Sequence, residues 1–257
     1  MFNPKLLNIL QKARHIAVFT GAGVSAESGI PTFRDALTGL WANFDAAQLA
    51  SPHAYRADKA TVWGWYEWRR MNVLKAIPNP AHYAIVRLAE ETETLTVITQ
   101  NVDDLHERAG SVDVIHLHGS LNKPRCFACA RPYQFSSDIP EEPEDGRRLE
   151  PPRCKHCRGR IRPGVVWFGE VVPKADWRRA EKAVNYCDVL ICIGTSSLVW
   201  PAAQIPIDAA KHGASIIQIN SNSTLLDNIS DYNLRGTAGS ILPQLVEFAF
   251  TNNITTI

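Results

Sequence analysis

The sequence predicts an α/β fold: a doubly wound parallel sheet with a helical part and a small metal-binding module. Three observations point there. Apolar runs of strand length, Ile16–Phe19, Leu95–Thr99, Tyr186–Ile193 and Ser215–Ile219, are separated by stretches with helical spacing, and strands alternating with helices build parallel sheets. These runs and Val112–Gly119 end in polar loops, TGAG, TQNVD, HLHGS, IGTSS and INSN. In an open parallel sheet such loops meet at one crevice beyond the carboxyl ends of the strands. Two Cys-x-x-Cys pairs then fall in a stretch whose composition departs from the rest.

In chain order, Leu6, Leu7, Ile9 and Leu10 give a short amphipathic helix. Ile16–Phe19 reads as a buried strand leading into Gly21, Gly23 and Ala26, a G-x-G-x-x-A turn. Such glycines let the backbone turn tightly and approach a pyrophosphate, with Ser25 and the next N–H groups as donors. Gly29 and Pro31 stop the helix after about one turn, so the segment carrying Phe33, Arg34 and Asp35 is a loop. Asp58–Lys75 reads as a helix capped by Asp58, on which Tyr66 and Arg69 share a face. His82–Glu91 is a further helix, Leu95–Thr99 a strand ending in Gln100-Asn101-Val102-Asp103, and Val112–Gly119 a strand. Cys126–Cys157, with its acidic, proline-rich loop Asp138–Asp145, reads as an inserted module, and Ile161–Glu170 as the return to the main domain. The strand Tyr186–Ile193 leads to Gly194-Thr195-Ser196, the strand Ser215–Ile219 to Asn220-Ser221-Asn222, and Ile241–Phe250 closes as a helix.

The 257 residues, 45% hydrophobic with formal net charge +1, support one large domain with a small insertion. The balanced charge argues against direct nucleic-acid binding. No apolar stretch approaches the roughly 20 residues that span a bilayer. Met1–Arg14 lacks a secretory signal pattern, so a cytoplasmic protein without membrane contact is expected. Two Cys-x-x-Cys pairs 24 residues apart indicate metal in a reducing compartment. Four thiolates of Cys126, Cys129, Cys154 and Cys157 make a closed, structural Zn²⁺ site. Cys187 and Cys192 lie in an apolar strand and read as core.

His118 precedes Gly119 at a strand end, where a base can face the crevice; His116 would share that strand face. Arg69 offers a planar fork for a carboxylate and Tyr66 a third donor, which suits an acyl group carrying negative charge. A one-residue change of register would put Arg70 there instead.

The string GAGVSAESGIPTFR resembles the NAD-binding signature of the sirtuin family of NAD-dependent protein deacylases. QN-x-D at Gln100–Asp103, His-Gly at His118–Gly119, Gly194-Thr195-Ser196 with Asn220, and Gly236–Gly239 resemble its further motifs in order, across nearly the whole chain. The resemblance implies one catalytic domain over 1–257. A Rossmann-like NAD part would carry a helical part at about 36–80 and a zinc module at 121–162. NAD contacts are implied for Gly21, Ala22, Gly23, Ser25, Ala26, Phe33, Arg34, Trp41, Gln100, Asn101, Val102, Asp103, Gly194, Thr195, Ser196, Asn220, Ser221, Asn222 and Ala238. His118, Asn101 and Asp103 would be catalytic. The family often has an acidic residue where this chain has His116.

Tyr66-x-x-Arg69 resembles sirtuins that remove succinyl and malonyl groups. The partners implied are acyl-lysine proteins or peptides, whose backbone would pair with Val165–Glu170. The implied reaction starts with attack of the acyl oxygen on the nicotinamide ribose. Nicotinamide leaves, and His118 then acts as general base toward a ribose hydroxyl. The products are free lysine and O-acyl-ADP-ribose, from a monomer that consumes NAD and keeps Zn²⁺ structural. The loop from Gly29 to Leu40 would cover NAD as nicotinamide departs. A plain deacetylase or mono-ADP-ribosyltransferase on the same scaffold is the alternative. A non-enzymatic one is an NAD-sensing zinc-ribbon protein using basic residues near the knuckles: Arg125, Arg131, Arg153, Lys155, Arg158, Arg160 and Arg162.

Overall fold

The structure, a computed structural model, describes residues 2–32, 45–135, 143 and 146–251. Its main sheet has six parallel strands, β1 (His15–Thr20), β2 (Thr94–Thr99), β3 (Ile115–His116), β6 (Val189–Ile193), β7 (Ser215–Asn220) and β8 (Tyr232–Arg235). Their spatial order is β3-β2-β1-β6-β7-β8. Strands are added on one side of β1 and then on the other, so the crevice of a doubly wound sheet opens between β1 and β6.

Successive side chains of a strand point to opposite faces, and two cores result. Ile16, Val18, Val189 and Ile191 pack under α1 (Pro4–Lys12), α5 (Pro80–Glu90) and α9 (Ala238–Phe250). Ala17, Phe19, Leu190 and Cys192 pack under α7 (Lys174–Tyr186) and α8 (Gln204–Lys211). Leu6 and Leu10, one turn apart on α1, are both 1% exposed; burying each stabilises by about 1.5–3 kcal/mol. Cys192 is fully buried in the second core, as its apolar strand implies. Among the described residues no helix is long and apolar enough to cross a membrane.

The helical part comprises α2 (Ala46–Leu49), α3 (Pro52–Ala57) and α4 (Lys59–Lys75). Asp58 caps α4 as its sequence implies, accepting from the Thr61 N–H at 3.1 Å and its hydroxyl at 2.8 Å. Gly64 lies where the Arg147–Leu149 backbone crosses the helix; a Cβ there would sit 2.0 Å from the Arg147 carbonyl oxygen.

Local expectations change at several places; the strand expected over Tyr186–Ile193, for one, begins at Val189, because Tyr186 ends α7. The short helix after Gly21 is two 3₁₀ turns, Ala22–Val24 and Ala26–Ser28, closed by Gly29 in the left-handed region at φ 79°. The strand expected over Val112–Gly119 shrinks to Ile115–His116, preceded by Asp113 at positive φ. Gly119 instead begins β4 (Gly119–Cys126), paired antiparallel with β5 (Ile161–Val165). Ile161–Val165 therefore belongs to the two-stranded sheet of the cysteine module rather than to the main sheet. The reason lies in tertiary closure: the two cysteine knuckles bring the ends of β4 and β5 together. The four-residue β8, too short to announce itself in sequence, adds an unanticipated edge.

Candidate active site

The glycine turn explains itself at the crevice. The Gly21 N–H donates to the Ile193 carbonyl at 3.0 Å and the Gly23 N–H to the Gly194 carbonyl at 2.9 Å. A Cβ on Gly23 would lie 2.6 Å from Gly194 Cα, and one on Gly21 would lie 2.8 Å from the Gly194 carbonyl oxygen. The glycines are thus required by packing of the loop after β1 on the loop after β6. Gly23→Ala is expected to destabilise the fold by about 1–3 kcal/mol, the usual range for overpacking, read as a lowered denaturation midpoint. An unchanged midpoint would refute the backbone-contact account.

Around this turn lies a cleft of about 970 Å³, near the upper end of ligand pockets, which run about 300–1,000 Å³. Gly21, Ala22, Gly23, Ser25, Ala26, Gln100, Asn101, Val102, Asp103, His118, Gly194, Thr195, Ser196, Asn220, Ser221, Asn222, Ala238, Tyr66 and Arg69 all line it. Phe33, Arg34, Trp41 and most of the loop from Gly29 to Leu40 lie outside the described residues.

Hydrogen bonds stitch the strand-end loops together. Asn101 Nδ2 donates to Ser25 Oγ at 3.1 Å, and Ser25 Oγ donates to Asp103 Oδ2 at 3.1 Å. Asp103 Oδ1 accepts from the Leu105 N–H at 3.1 Å, which ties Asp103 to the first residue of α6 (Leu105–Ala109), whose cap position is Asp104. Burial raises the Asp103 pKa, outweighing its hydrogen bonds. Gln100 Nε2 donates to Thr195 Oγ1 at 2.8 Å, and Asn220 Nδ2 to the Thr195 carbonyl at 2.9 Å. A missed support is Asn79, whose amide donates to the Val24 carbonyl at 2.8 Å and to Ser28 Oγ at 2.9 Å while its Oδ1 caps α5. Its sequence signal was the Asn-Pro step at a helix start.

His118 Nδ1 is 3.0 Å from the Gln100 carbonyl oxygen. A carbonyl only accepts, so Nδ1 carries the proton and Nε2 is left with a lone pair. Burial lowers the His118 pKa, the Gln100 bond opposing it. A neutral imidazole with a basic Nε2 is thus held at the cleft wall.

On the opposite wall, Tyr66 and Arg69 both face the cleft, which settles the register of α4. Arg70 turns away: its guanidinium bonds Glu67 at 2.8 Å and lies 3.8 Å from the centroid of the Phe135 ring. Arg69 sits over the Trp65 ring at 5.0 Å, and burial lowers its pKa while Tyr66 and Asp103 oppose that. Tyr66 is buried, its pKa pushed up to about 12 by desolvation. Its oxygen accepts from Trp167 Nε1 at 3.1 Å, so its own proton can be donated to a ligand.

Trp167 is itself held by Arg162 and Glu170, in a role that their sequence positions did not indicate. Arg162 lies 3.5 Å over its ring and bonds Glu170 at 2.5 and 2.9 Å, and Glu170 accepts from the Trp167 N–H at 2.9 Å. The Val166 N–H donates to the His118 carbonyl at 2.8 Å and the Phe168 N–H to the Ala50 carbonyl at 2.9 Å. A peptide laid along Val165–Glu170 would therefore meet carbonyl acceptors rather than these donors.

Away from the cleft, the sulfur atoms of Cys126, Cys129, Cys154 and Cys157 lie within 4.8 Å of one another. Cys126 and Cys157 are 3.5 Å apart and Cys129 and Cys154 3.8 Å. An ideal ZnS₄ tetrahedron with Zn–S of about 2.3 Å has edges of about 3.8 Å, so the cluster fits a structural zinc ion. A Cβ on Gly159 would lie 3.0 Å from Ala128 Cβ, 3.2 Å from Cys126 Sγ and 3.3 Å from Cys157 Sγ, tighter than ordinary contact, so the backbone passes close over the cluster here.

Comparisons agree with this geometry. The Sir2 family profile matches residues 21–201. An NAD-dependent protein deacylase of Methylococcus capsulatus is 61% identical over 246 residues, 96% of this chain and 96% of its own. A Sir2 homologue solved with NAD superposes with a TM-score of 0.87 at 44% identity, over 97% of this chain and 94% of its own. A Sir2–p53 peptide–NAD⁺ complex superposes with a TM-score of 0.82 at 28% identity, over 96% and 98%. The family profile, the strand-end cleft and the four-cysteine module coincide on one chain, which belongs to the Sir2 family.

Proposed function

We propose that this protein is an NAD-dependent protein-lysine deacylase whose acyl pocket favours succinyl and malonyl over acetyl groups. The enzyme reading is supported by the strand-end cleft and by the deacylase relatives. The single observation carrying the acyl preference is the pair Tyr66 and Arg69, side by side on the cleft face of α4. An acetyl group offers these donors nothing charged. A dicarboxylic acyl group brings a carboxylate that Arg69 can bind bidentately and Tyr66 can bond through its unspent proton.

The donor and acceptor set at the crevice (Ser25, Gln100, Asn101, Thr195, Asn220, Ser221 and Asn222) suits a dinucleotide of amide, ribose and phosphate groups. NAD supplies an activated ribosyl carbon that takes up the acyl oxygen as nicotinamide leaves. The protein's part is positional and acid–base. Asn101 and Asp103 orient the nicotinamide side through the Ser25 network. His118 withdraws the ribose hydroxyl proton onto Nε2, with its tautomer fixed by the Gln100 carbonyl. Trp167, clamped by Arg162 and Glu170, walls the acyl-lysine channel. Cys126, Cys129, Cys154 and Cys157 would hold Zn²⁺, whose closed coordination leaves no position for chemistry.

Matched succinyl- and acetyl-lysine peptides test the preference. In Arg69→Met, kcat/KM for the succinyl peptide is expected to fall about 10- to 100-fold, in line with about 1.5–3 kcal/mol for a charge-assisted hydrogen bond, with little change for acetyl. A variant that kept the wild-type succinyl:acetyl ratio would remove the acyl assignment and leave a plain deacetylase. Product masses showing ADP-ribose on protein would point to the transferase instead.

A further inference from the structure

His116 neither lines the cleft nor is used by the mechanism above, yet it is 87% buried at its side chain and bonded at both nitrogens. Nδ1 is 3.2 Å from the Asn101 carbonyl oxygen and Nε2 is 2.7 Å from Glu107 Oε1. Both partners are pure acceptors at neutral pH, so both ring nitrogens must donate, and only the imidazolium form does that. The contrast with His118 is direct, since His118 has one acceptor and keeps a lone pair. The two rings act on consecutive peptide groups, His118 on the Gln100 carbonyl and His116 on the Asn101 carbonyl.

We propose that His116 is a cationic positioning residue that holds Asn101 and Asp103 in working geometry, and that loss of its proton sets the alkaline limit of the reaction. The inference rests on this cleft being the deacylase site. The route runs through the backbone. Fixing the Asn101 carbonyl fixes the turn from which the Asn101 amide reaches Ser25 and from which Ser25 reaches Asp103. Glu107 anchors the other end of the ring on α6, the helix whose first residue, Leu105, donates its N–H to Asp103.

The charges around the ring agree with this. From α6, Glu107 is the direct partner and His106 is neutral, its pKa pushed down to about 3 by burial. Asp103 faces the ring from the turn before α6. On α7, Arg179 is occupied by Asp113 at 2.7 Å. Burial alone would lower the His116 pKa, but the hydrogen bond and charge of Glu107, then Asn101 and Asp103, outweigh it and raise it. A group with a raised folded pKa contributes fully below its unfolded value and loses that contribution as pH rises through the folded one. The clamp is therefore complete below the ordinary histidine value of about 6.5 and is released as pH rises through the raised one.

The test uses the full-length, zinc-loaded protein. Nitrogen NMR of the labelled histidines reads the His116 ring without any ligand. Two protonated ring nitrogens at pH 7 and titration above 6.5 are expected. In Glu107→Gln the titration should move down by roughly one pH unit, the order of effect of an opposite charge within ~4–6 Å. A neutral His116 at pH 7 overturns the proposal. Acyl-peptide-dependent nicotinamide release across pH 5–10 then reads function. The alkaline limb should move down with the NMR value in Glu107→Gln and vanish in His116→Gln, while the acid limb stays in place. An NMR shift with an unmoved alkaline limb overturns the positioning role and leaves a structural ion pair. Absence of turnover in the wild type overturns the deacylase reading instead. Calorimetric NAD affinity over the same pH range then decides for His116: a fall that tracks its titration supports the proposal, and a flat profile overturns it.

Discussion

Replacing His118 with alanine is expected to lower kcat/KM for NAD-dependent deacylation by about 10²–10⁴-fold, the usual contribution of a positioned general base. The expectation rests on geometry. The Gln100 carbonyl takes the Nδ1 proton, so the lone pair is on Nε2, and the ring lies in the cleft wall. Burial lowers the pKa of the ring, which keeps it unprotonated at neutral pH. The sign follows for the pH profile. A base must be unprotonated, so activity should fall as pH drops through a value below the ordinary 6.5 of histidine, and this acid limb should be absent from whatever activity His118→Ala retains. Less than a threefold loss, or an acid limb that survives in the variant, would remove His118 from the chemistry. A melting temperature close to wild type shows that the loss is chemical rather than structural.

Zinc removal is expected to act as strongly by a different route. The purified chain should carry one zinc per molecule. Chelation, or Cys154→Ser, should abolish both the binding of acyl peptide and turnover, and should lower the thermal midpoint. Around the cysteines, Trp63 and Ile161 are buried with Cys126 and Cys154, and Tyr133, Phe135 and Leu149 pack on them. This satellite core is small, and structural zinc contributes about 10–16 kcal/mol of binding energy to comparable modules. Its loss would free β4 from β5, and β5 leads directly into Trp167, Phe168 and Glu170 of the cleft wall. Because four thiolates leave no open coordination position, cadmium should restore both midpoint and turnover. A zinc-free chain with normal turnover would contradict this account, as would a purified chain without zinc.

Much of this was legible locally. The Asp58 cap and the tryptophan-rich run gave α4 to within a residue, and the knuckle spacing gave the cysteine cluster. The glycine turn gave the crevice, although the helix expected there is two 3₁₀ turns. The apolar runs gave the sheet core but missed β8, whose four residues alternate too briefly to register. The strand expected over Val112–Gly119 is cut to Ile115–His116, because positive φ at Asp113 and Gly119 breaks the extended backbone on both sides.

Composition, period and capping act between residues a few positions apart, and these alone determined the α/β class, the strand-end loops and the four-thiolate module. Tertiary structure decided the rest, because it turns on partners far along the chain. Gly21 and Gly23 are glycine because the Gly194–Thr195 backbone lies against them. Arg69 rather than Arg70 faces the cleft because Glu67 and Phe135 hold Arg70 elsewhere. His118 has a free lone pair and His116 has none because one ring has a single acceptor and the other meets both the Asn101 carbonyl and Glu107. Two histidines, two residues apart, are alike in sequence; the hydrogen-bond acceptors placed around each ring by the fold make one a neutral base and the other a cation.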